Sequence, residues 1–427
     1  MTFLAVRVLQ MITPKHSFAT ITRKDMSKKT NYLFLLCILS LDYMYNNIFN
    51  IILTRDILLA LLLLMIGIGF LIYRQYDKKV YSLKNKKYVY LTWVLILISS
   101  MVPVYNGFQS YFSTLIAQRS LLAMAFLLLM LKIGPSENEV IKILKRLTII
   151  AIFLGILSVF FPNLFMDEMQ RATYESELLE GGTDIIHSGI GMRAFTLYFF
   201  YRCQRMIEAS NYENVIFAFV LLLYLIIYQN RSTLIIALPA FFYALIKLRS
   251  KYKIHFLLIG GLFFLVFLFT YVQAIFEHLL EETEIQLAND GYNRWQAINF
   301  FFTERQYDII DVLFGHGVPA AGSPYLKSLV EASEDRWAFI SDIGTLGVFF
   351  YYGVLFLCIL YVPFVFHVLY FWRKYPFYLK MFALWILCVP TIHCYNLPGP
   401  TSFVVYYIFM YLVILYKRDE LKELQIN

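Results

Sequence analysis

The sequence predicts an all-α polytopic membrane protein of about twelve transmembrane helices, with both termini cytoplasmic and a large outer loop between the ninth and tenth. Three observations lead there. Of the 427 residues, 60% are hydrophobic and only 15% charged, against roughly half and a quarter in soluble chains. Apolar stretches of bilayer length recur from end to end. Finally, 28 of the 37 Lys and Arg residues fall in or beside alternate connecting segments, the bias that fixes orientation in a membrane.

The same composition excludes other classes. With 19 Gly, 12 Pro and 5 Cys, the chain is neither disordered, collagen-like nor disulfide-stapled. A net charge of +8 suggests a nucleic-acid partner only until the charges are placed; no nucleic acid is expected. Cys37, Cys203, Cys358, Cys388 and Cys394 form no C-x-x-C pair and read as packing residues.

In order along the chain, residues 1–32 form a cytoplasmic lead, too short and interrupted for a signal peptide or a span. It is either an amphipathic segment or an upstream start ahead of Met26. One transmembrane domain covers 33–416, with spans expected near 33–53, 57–73, 88–104, 114–132, 147–162, 187–202, 214–229, 232–247, 254–273, 340–366, 379–395 and 400–416. The first and sixth are interrupted by polar residues, Asp42, Asn46 and Asn47 in one, His187 and Arg193 in the other. Outer loops cover 163–186 and 274–339, and 417–427 is a cytoplasmic tail. Of the 29 acidic residues, 20 fall outside or within spans. In the larger loop, QAIFEHLLEETEIQLAND and GYNRWQAINFFFTERQYDIIDVLFG show helical spacing, the second ending at a glycine. Amphipathic helices so close to spans are expected along the membrane surface. No phosphate-binding loop is present, which argues against an ATP-driven pump.

Nine cationic residues fall outside the inner segments, and each needs a reason. Arg231, in YQNRSTLIIALP, opens a span after almost no loop. An arginine at a helix N-terminus opposes the dipole unless an anion binds, and its fork of donors matches phosphate oxygens. The plain alternative is an arginine snorkelling to headgroups. Arg119, in LIAQRSLLAMAF, and Arg193, in SGIGMRAFTLYFF, lie inside spans and should face the bundle interior or a wet cavity. Ion pairs with Asp42, Asp56 or Asp184 are the structural alternative, and Gly189 and Gly191 would allow close packing. Arg294 and Arg305 lie eleven residues apart, on one helical face; lipid contact explains Arg305 equally well.

His316, in LFGHGVP, stands between two glycines, a flexible turn that would expose its imidazole as a general base or donor. Asp342, in SDIGTLGVFFYYG, opens a long span from the outer side and could serve as a base there, or simply as an acid at a helix N-terminus. His393, beside a Pro-Gly-Pro turn, reads as a loop residue. Neither metal nor cofactor is expected, because the acidic residues of 163–186 have no ligand spacing.

In order and pattern, 114–416 resembles the bacterial O-antigen ligase and polymerase superfamily of integral-membrane glycosyltransferases. The matching pieces are NRSTLIIALP opening a middle span, a large outer loop before the last three spans, NRWQAINFF leading to LFGHG, and SDIGTLGVFFYYGVL. The resemblance implies action on undecaprenyl-diphosphate-linked oligosaccharide at the outer face of the bacterial cytoplasmic (inner) membrane, without nucleotide sugar or metal. It assigns the diphosphate to Arg231, Arg193, and Arg294 or Arg119, and implies a flippase and a chain-length regulator as neighbours. Ligases of this family resemble one another in a His-Asn pair near the place held here by Asp342-Ile343. Its absence favours repeat-unit polymerase, with Asp342 or His316 as candidate base. The alternatives are a ligase delivering glycan to a lipid or protein, and a flippase for the same lipid-linked sugar.

Overall fold

The computed structural model describes residues 23–39, 55–73, 83–160, 192–209, 212–227, 231–248, 293–303, 308–320, 322–336, 340–343, 345–392 and 400–426. Of the structure, 89% is helix and, among the described residues, there is no strand. The helices are α1 (Arg23–Leu39), α2 (Arg55–Ile72), α3 (Leu83–Ser99), α4 (Val102–Tyr105), α5 (Tyr111–Ala117), α6 (Ala125–Ile133), α7 (Glu137–Phe160), α8 (Met192–Glu208), α9 (Tyr212–Ile227) and α10 (Arg231–Lys247). After them come α11 (Asn293–Ile298), α12 (Ile309–Phe314), α13 (Pro324–Arg336), α14 (Thr345–Tyr361), α15 (His367–Tyr370), α16 (Phe377–Ile392) and α17 (Pro400–Ile426).

Among the described residues, two helices are long and apolar enough to cross a bilayer, Lys86–Tyr105 and Thr345–Tyr370, and a third span results if the pair bent by 55° over Tyr111–Ala117 and Leu121–Ile133 counts as one. Five shorter apolar helices accompany them. The expected spans coincide with helices wherever their residues are described; the one at 254–273, the outer loop 163–186 and the segment 273–290 lie outside the described residues.

The main core is built around α8 and α17. Helix α8 packs against α7, α9, α10, α16 and α17, and it buries Ala194, Phe195, Thr196, Leu197, Tyr198, Phe199 and Phe200 in succession. A helix apolar on every side is an interior helix, and α17, buried continuously from Val404 to Leu415, is another. One end of the bundle is tied by phenols. Tyr378 and Tyr416 both donate to the Glu137 carboxylate, at 3.0 and 2.8 Å, and Tyr411 donates to the Pro135 carbonyl at 2.6 Å.

A second apolar core lies in the large loop. Ala297, Phe300, Phe301, Tyr325, Leu329 and Ile343 pack with Phe350 of α14. Ala297 of α11 is buried in this core, with Ile298 packed against it. Helix α12 keeps Ile309, Ile310 and Val312 exposed, and α13 exposes Val330.

Candidate functional site

Helix α14 is broken at its middle. Gly353 has φ 74° and ψ 178°, a region essentially confined to glycine. A break in an apolar helix strands carbonyl groups that lipid cannot satisfy. Here the segment between α12 and α13 supplies the donors. The backbone N–H of His316 donates to the Phe350 carbonyl at 2.7 Å, and that of Gly317 to the Tyr351 carbonyl at 3.0 Å. Ser99 Oγ, at the end of α3, donates to the same Tyr351 carbonyl at 3.3 Å. Phe350 is five residues into α14, about 7.5 Å along its axis at 1.5 Å per residue, so the loop reaches well below the helix start.

This docking holds His316 in place, and the expected exposed imidazole is corrected: the residue is only 4% accessible. Its ring lies flat on Phe350, with centroids 4.6 Å apart and planes 5° from parallel. Nε2 stands 3.8 Å from Asp311 Oδ2. The glycines that suggested mobility serve close approach instead. A Cβ on Gly315 would overlap the Tyr351 backbone, and one on Gly353 would overlap the Leu313 carbonyl.

Asp311 was not singled out from sequence. It belongs to the capping box that opens α12: the Asp311 N–H donates to Asp308 Oδ1 at 2.8 Å, and the Asp308 N–H to Asp311 Oδ2 at 3.3 Å. Burial pushes its carboxyl above the ordinary aspartate range, and the Asp308 charge adds to this against the Asp308 N–H bond. The signal in the sequence was the D-x-x-D spacing of YDIID, which reads as an ordinary solvated cap.

Two more discontinuities meet this place. Helix α3 gives way to α4 through Ser100 and Met101, and a 3-10 turn at Arg119–Met124 separates α5 from α6. They are joined by Gln118, whose Nε2 donates to Ser100 Oγ at 3.2 Å, and by Trp93, whose indole N–H donates to the Leu121 carbonyl at 3.4 Å. Gln109 clamps the docked loop, donating from Nε2 to the Val318 carbonyl at 2.8 Å and accepting at Oε1 from the Ala320 N–H at 2.9 Å. Arg119 belongs to this group. It is half-buried and turns back to donate to the Ile116 carbonyl at 2.7 Å, so the expectation of an interior-facing guanidinium holds only in part.

The other candidates gather around α16. Tyr378 N–H, at the start of α16, donates to Gln204 Oε1 near the end of α8, so these helices run antiparallel. Three residues separate α8 from α9, and three separate α9 from α10, which makes α8 and α10 parallel. Arg193, second residue of α8, and Arg231, first of α10, therefore start helices at one end of the bundle. Arg193 is half-buried. Near the start of α10, Thr233 Oγ1 accepts from Trp385 Nε1 of α16 at 3.0 Å. The 3-10 turn Ile340–Ile343, which contains Asp342, packs on both α16 and α11, the helix of Arg294. The backbone thus starts the helices of Arg193 and Arg231 at one end and sets the elements of Arg294 and Asp342 against each other and, through the Asp342 turn, against α16; the side chains of Arg231, Arg294, Asp342, Asp56 and Ser232 lie outside the described atoms, as do Asp42, Asp184, Gly189, Gly191, Arg305 and His393 altogether.

No protein-family model, curated protein or solved structure matches the chain. What the arrangement can do rests on its chemistry: helix N-termini bearing arginines suit a polyanion, and a fixed imidazole beside a carboxylate suits proton transfer. Among the described residues, no group of three or more His, Cys, Asp or Glu side chains is placed to hold a metal ion.

Proposed function

We propose that the chain is a twelve-span glycosyltransferase of the bacterial inner membrane, which polymerises undecaprenyl-diphosphate-linked oligosaccharide repeats at the outer face. The observation that carries this reading is the gathering of Arg193 and Arg231, at the N-termini of α8 and α10, with the Asp342 turn and the Arg294 helix around α16. Two parallel helix dipoles and the arginines at their starts favour a diphosphate there, by charge-assisted bonds that strengthen as the leaving group gains charge.

In the reaction, a hydroxyl at the non-reducing end of the incoming lipid-linked repeat attacks the anomeric carbon of the growing chain. The new C–O bond forms as the bond from that carbon to the diphosphate oxygen breaks, both electrons leaving with undecaprenyl diphosphate. The hydroxyl proton passes to a base, His316 or Asp342, and on to solvent. The flippase reading needs an inner end that opens. Glu137 bridging Tyr378 and Tyr416, with Tyr411 on Pro135, supports a bundle closed on that side. Deleting the gene tests all three readings through the glycan ladder and the lipid-linked intermediates. Product carrying one repeat is the expected result; full-length polymer stranded on the lipid means a ligase, and single repeats held at the cytoplasmic face mean a flippase.

A further inference from the structure

We infer that Asp311 is a positioning residue for His316, and that this buried pair, docked into the break of α14, is the base that takes the acceptor proton. The inference rests on the glycosyltransferase reading and chooses between its two candidate bases. His316 is fixed from three sides: its backbone N–H on the Phe350 carbonyl at 2.7 Å, its ring face on Phe350 at 4.6 Å, and Nε2 at 3.8 Å from Asp311. Asp311 is fixed in turn by the Asp308 N–H at 3.3 Å. Neither side chain is held by chance contacts on a mobile turn, and both are buried, at 4% and 7% accessibility. An imidazole presented this way keeps one nitrogen toward the carboxylate and receives a proton on the other, Nδ1. The carboxylate stabilises the imidazolium that forms. Separations of this length are common in a resting site and shorten when substrate is bound.

The ring's surroundings keep the assignment testable. On α12 its titratable neighbours are Asp308 and Asp311; on α14, Tyr351 and Tyr352 follow Phe350; α4 brings Tyr105. Helix α3 carries Lys84, Lys86, Lys87, Tyr88 and Tyr90 near its other end, with Tyr90 about 13 Å from Ser99 along the axis. Asp311 sets a carboxylate against the ring, and the substitution Asp311→Asn keeps a cap acceptor while removing that charge.

The experiment is a histidine NMR titration of the full chain, labelled at its seven histidines and held in lipid nanodiscs, with the His316 signal assigned through His316→Gln. In Asp311→Asn the midpoint of His316 should fall by about 1 to 3 pH units, while Asp308→Asn, the matched control, moves it less. In cells, Asp311→Asn and His316→Gln should both shorten the glycan ladder at normal protein levels. An unmoved midpoint in Asp311→Asn overturns the pairing whatever the protein's activity. A midpoint that falls while both variants leave the ladder intact overturns the base assignment. A ladder unaffected by deletion of the gene overturns the polymerase reading itself, and the base role with it. Should Asp311→Asn not fold, Asp311→Glu, which keeps the charge, serves: a midpoint above the ordinary 6.5 of histidine supports the pair, and one at or below it refutes it.

Discussion

Replacing Gly353 by alanine puts the docking of the outer loop to a quantitative test. At φ 74° and ψ 178°, any side chain strains the backbone by about 1–3 kcal/mol. The added Cβ also meets the carbonyl of Leu313 and the amide of Phe314, an overlap with backbone that cannot swing aside and costs about 1–3 kcal/mol more. The chain can escape only by releasing the loop. Release breaks the bonds from His316 and Gly317 to the two carbonyls, worth about 0.5–1.5 kcal/mol each, and withdraws the loop donors from carbonyls that stay buried. Either route costs about 2 kcal/mol or more. Purified protein heated at a fixed scan rate should therefore lose at least about 2 °C of its thermal midpoint. Gly67→Ala is the control, since a Cβ there meets nothing within 4 Å and alanine suits a helix interior better than glycine. If Gly353→Ala melts with Gly67→Ala and wild type, the break and its docking are wrong.

Gln109→Leu removes two bonds to the docked loop and should cost about 1–3 kcal/mol, read as faster hydrogen exchange at Val318 to Ala320 than at α16. Arg231→Ala, in protein that inserts normally, should abolish long polymer, with Arg231→Lys recovering little because a single ammonium cannot make the fork contact; unchanged polymer would remove the diphosphate assignment. The pH dependence of stability should change in Asp311→Asn. The native carboxyl is raised, so the folded state prefers it protonated; wild type gains stability as pH falls through the native value toward the unfolded one, and carries the burial penalty above it. Melting at neutral pH should leave Asp311→Asn at least as stable as wild type, with a flatter acid-side profile, whereas a large loss would mean that the carboxylate's bonds outweigh its burial.

Local pattern made the helices legible, because apolar length and alternating charge act within one segment. The helix ending at Gly315 and the one opening at Arg231 were both visible in this way. What stayed hidden depends on partners far apart in sequence. Gly353 lies in a run, FFYYGVLF, that reads as an unbroken span; only the arrival of Leu313 to Gly317 makes its conformation necessary. His316 between two glycines reads as a mobile turn, yet Gly315 and Gly317 are there so that backbone can touch α14 and Pro103. Asp311 passed for a solvated cap because its burial comes from α14, and nothing in YDIID announces that. The arginines were legible as anomalies of charge, their common end only once the short connections from α8 to α10 were set in three dimensions.

These long-range contacts change what the large outer loop is. A loop tethered only at its ends could open and close over the bundle without disturbing it. Here the loop completes the hydrogen bonding of a membrane helix, and its cap shares Phe350 with that helix. Lifting the segment would take the His316 donor from the Phe350 carbonyl and the Gly317 donor from the Tyr351 carbonyl, which opposes opening. The cap and the outer half of α14 must then form and fail together. The imidazole is therefore presented on rigid scaffold, as proton transfer to a fixed hydroxyl requires. If the chain is the glycosyltransferase proposed above, motion that admits a saccharide has to come from elements other than 313–318.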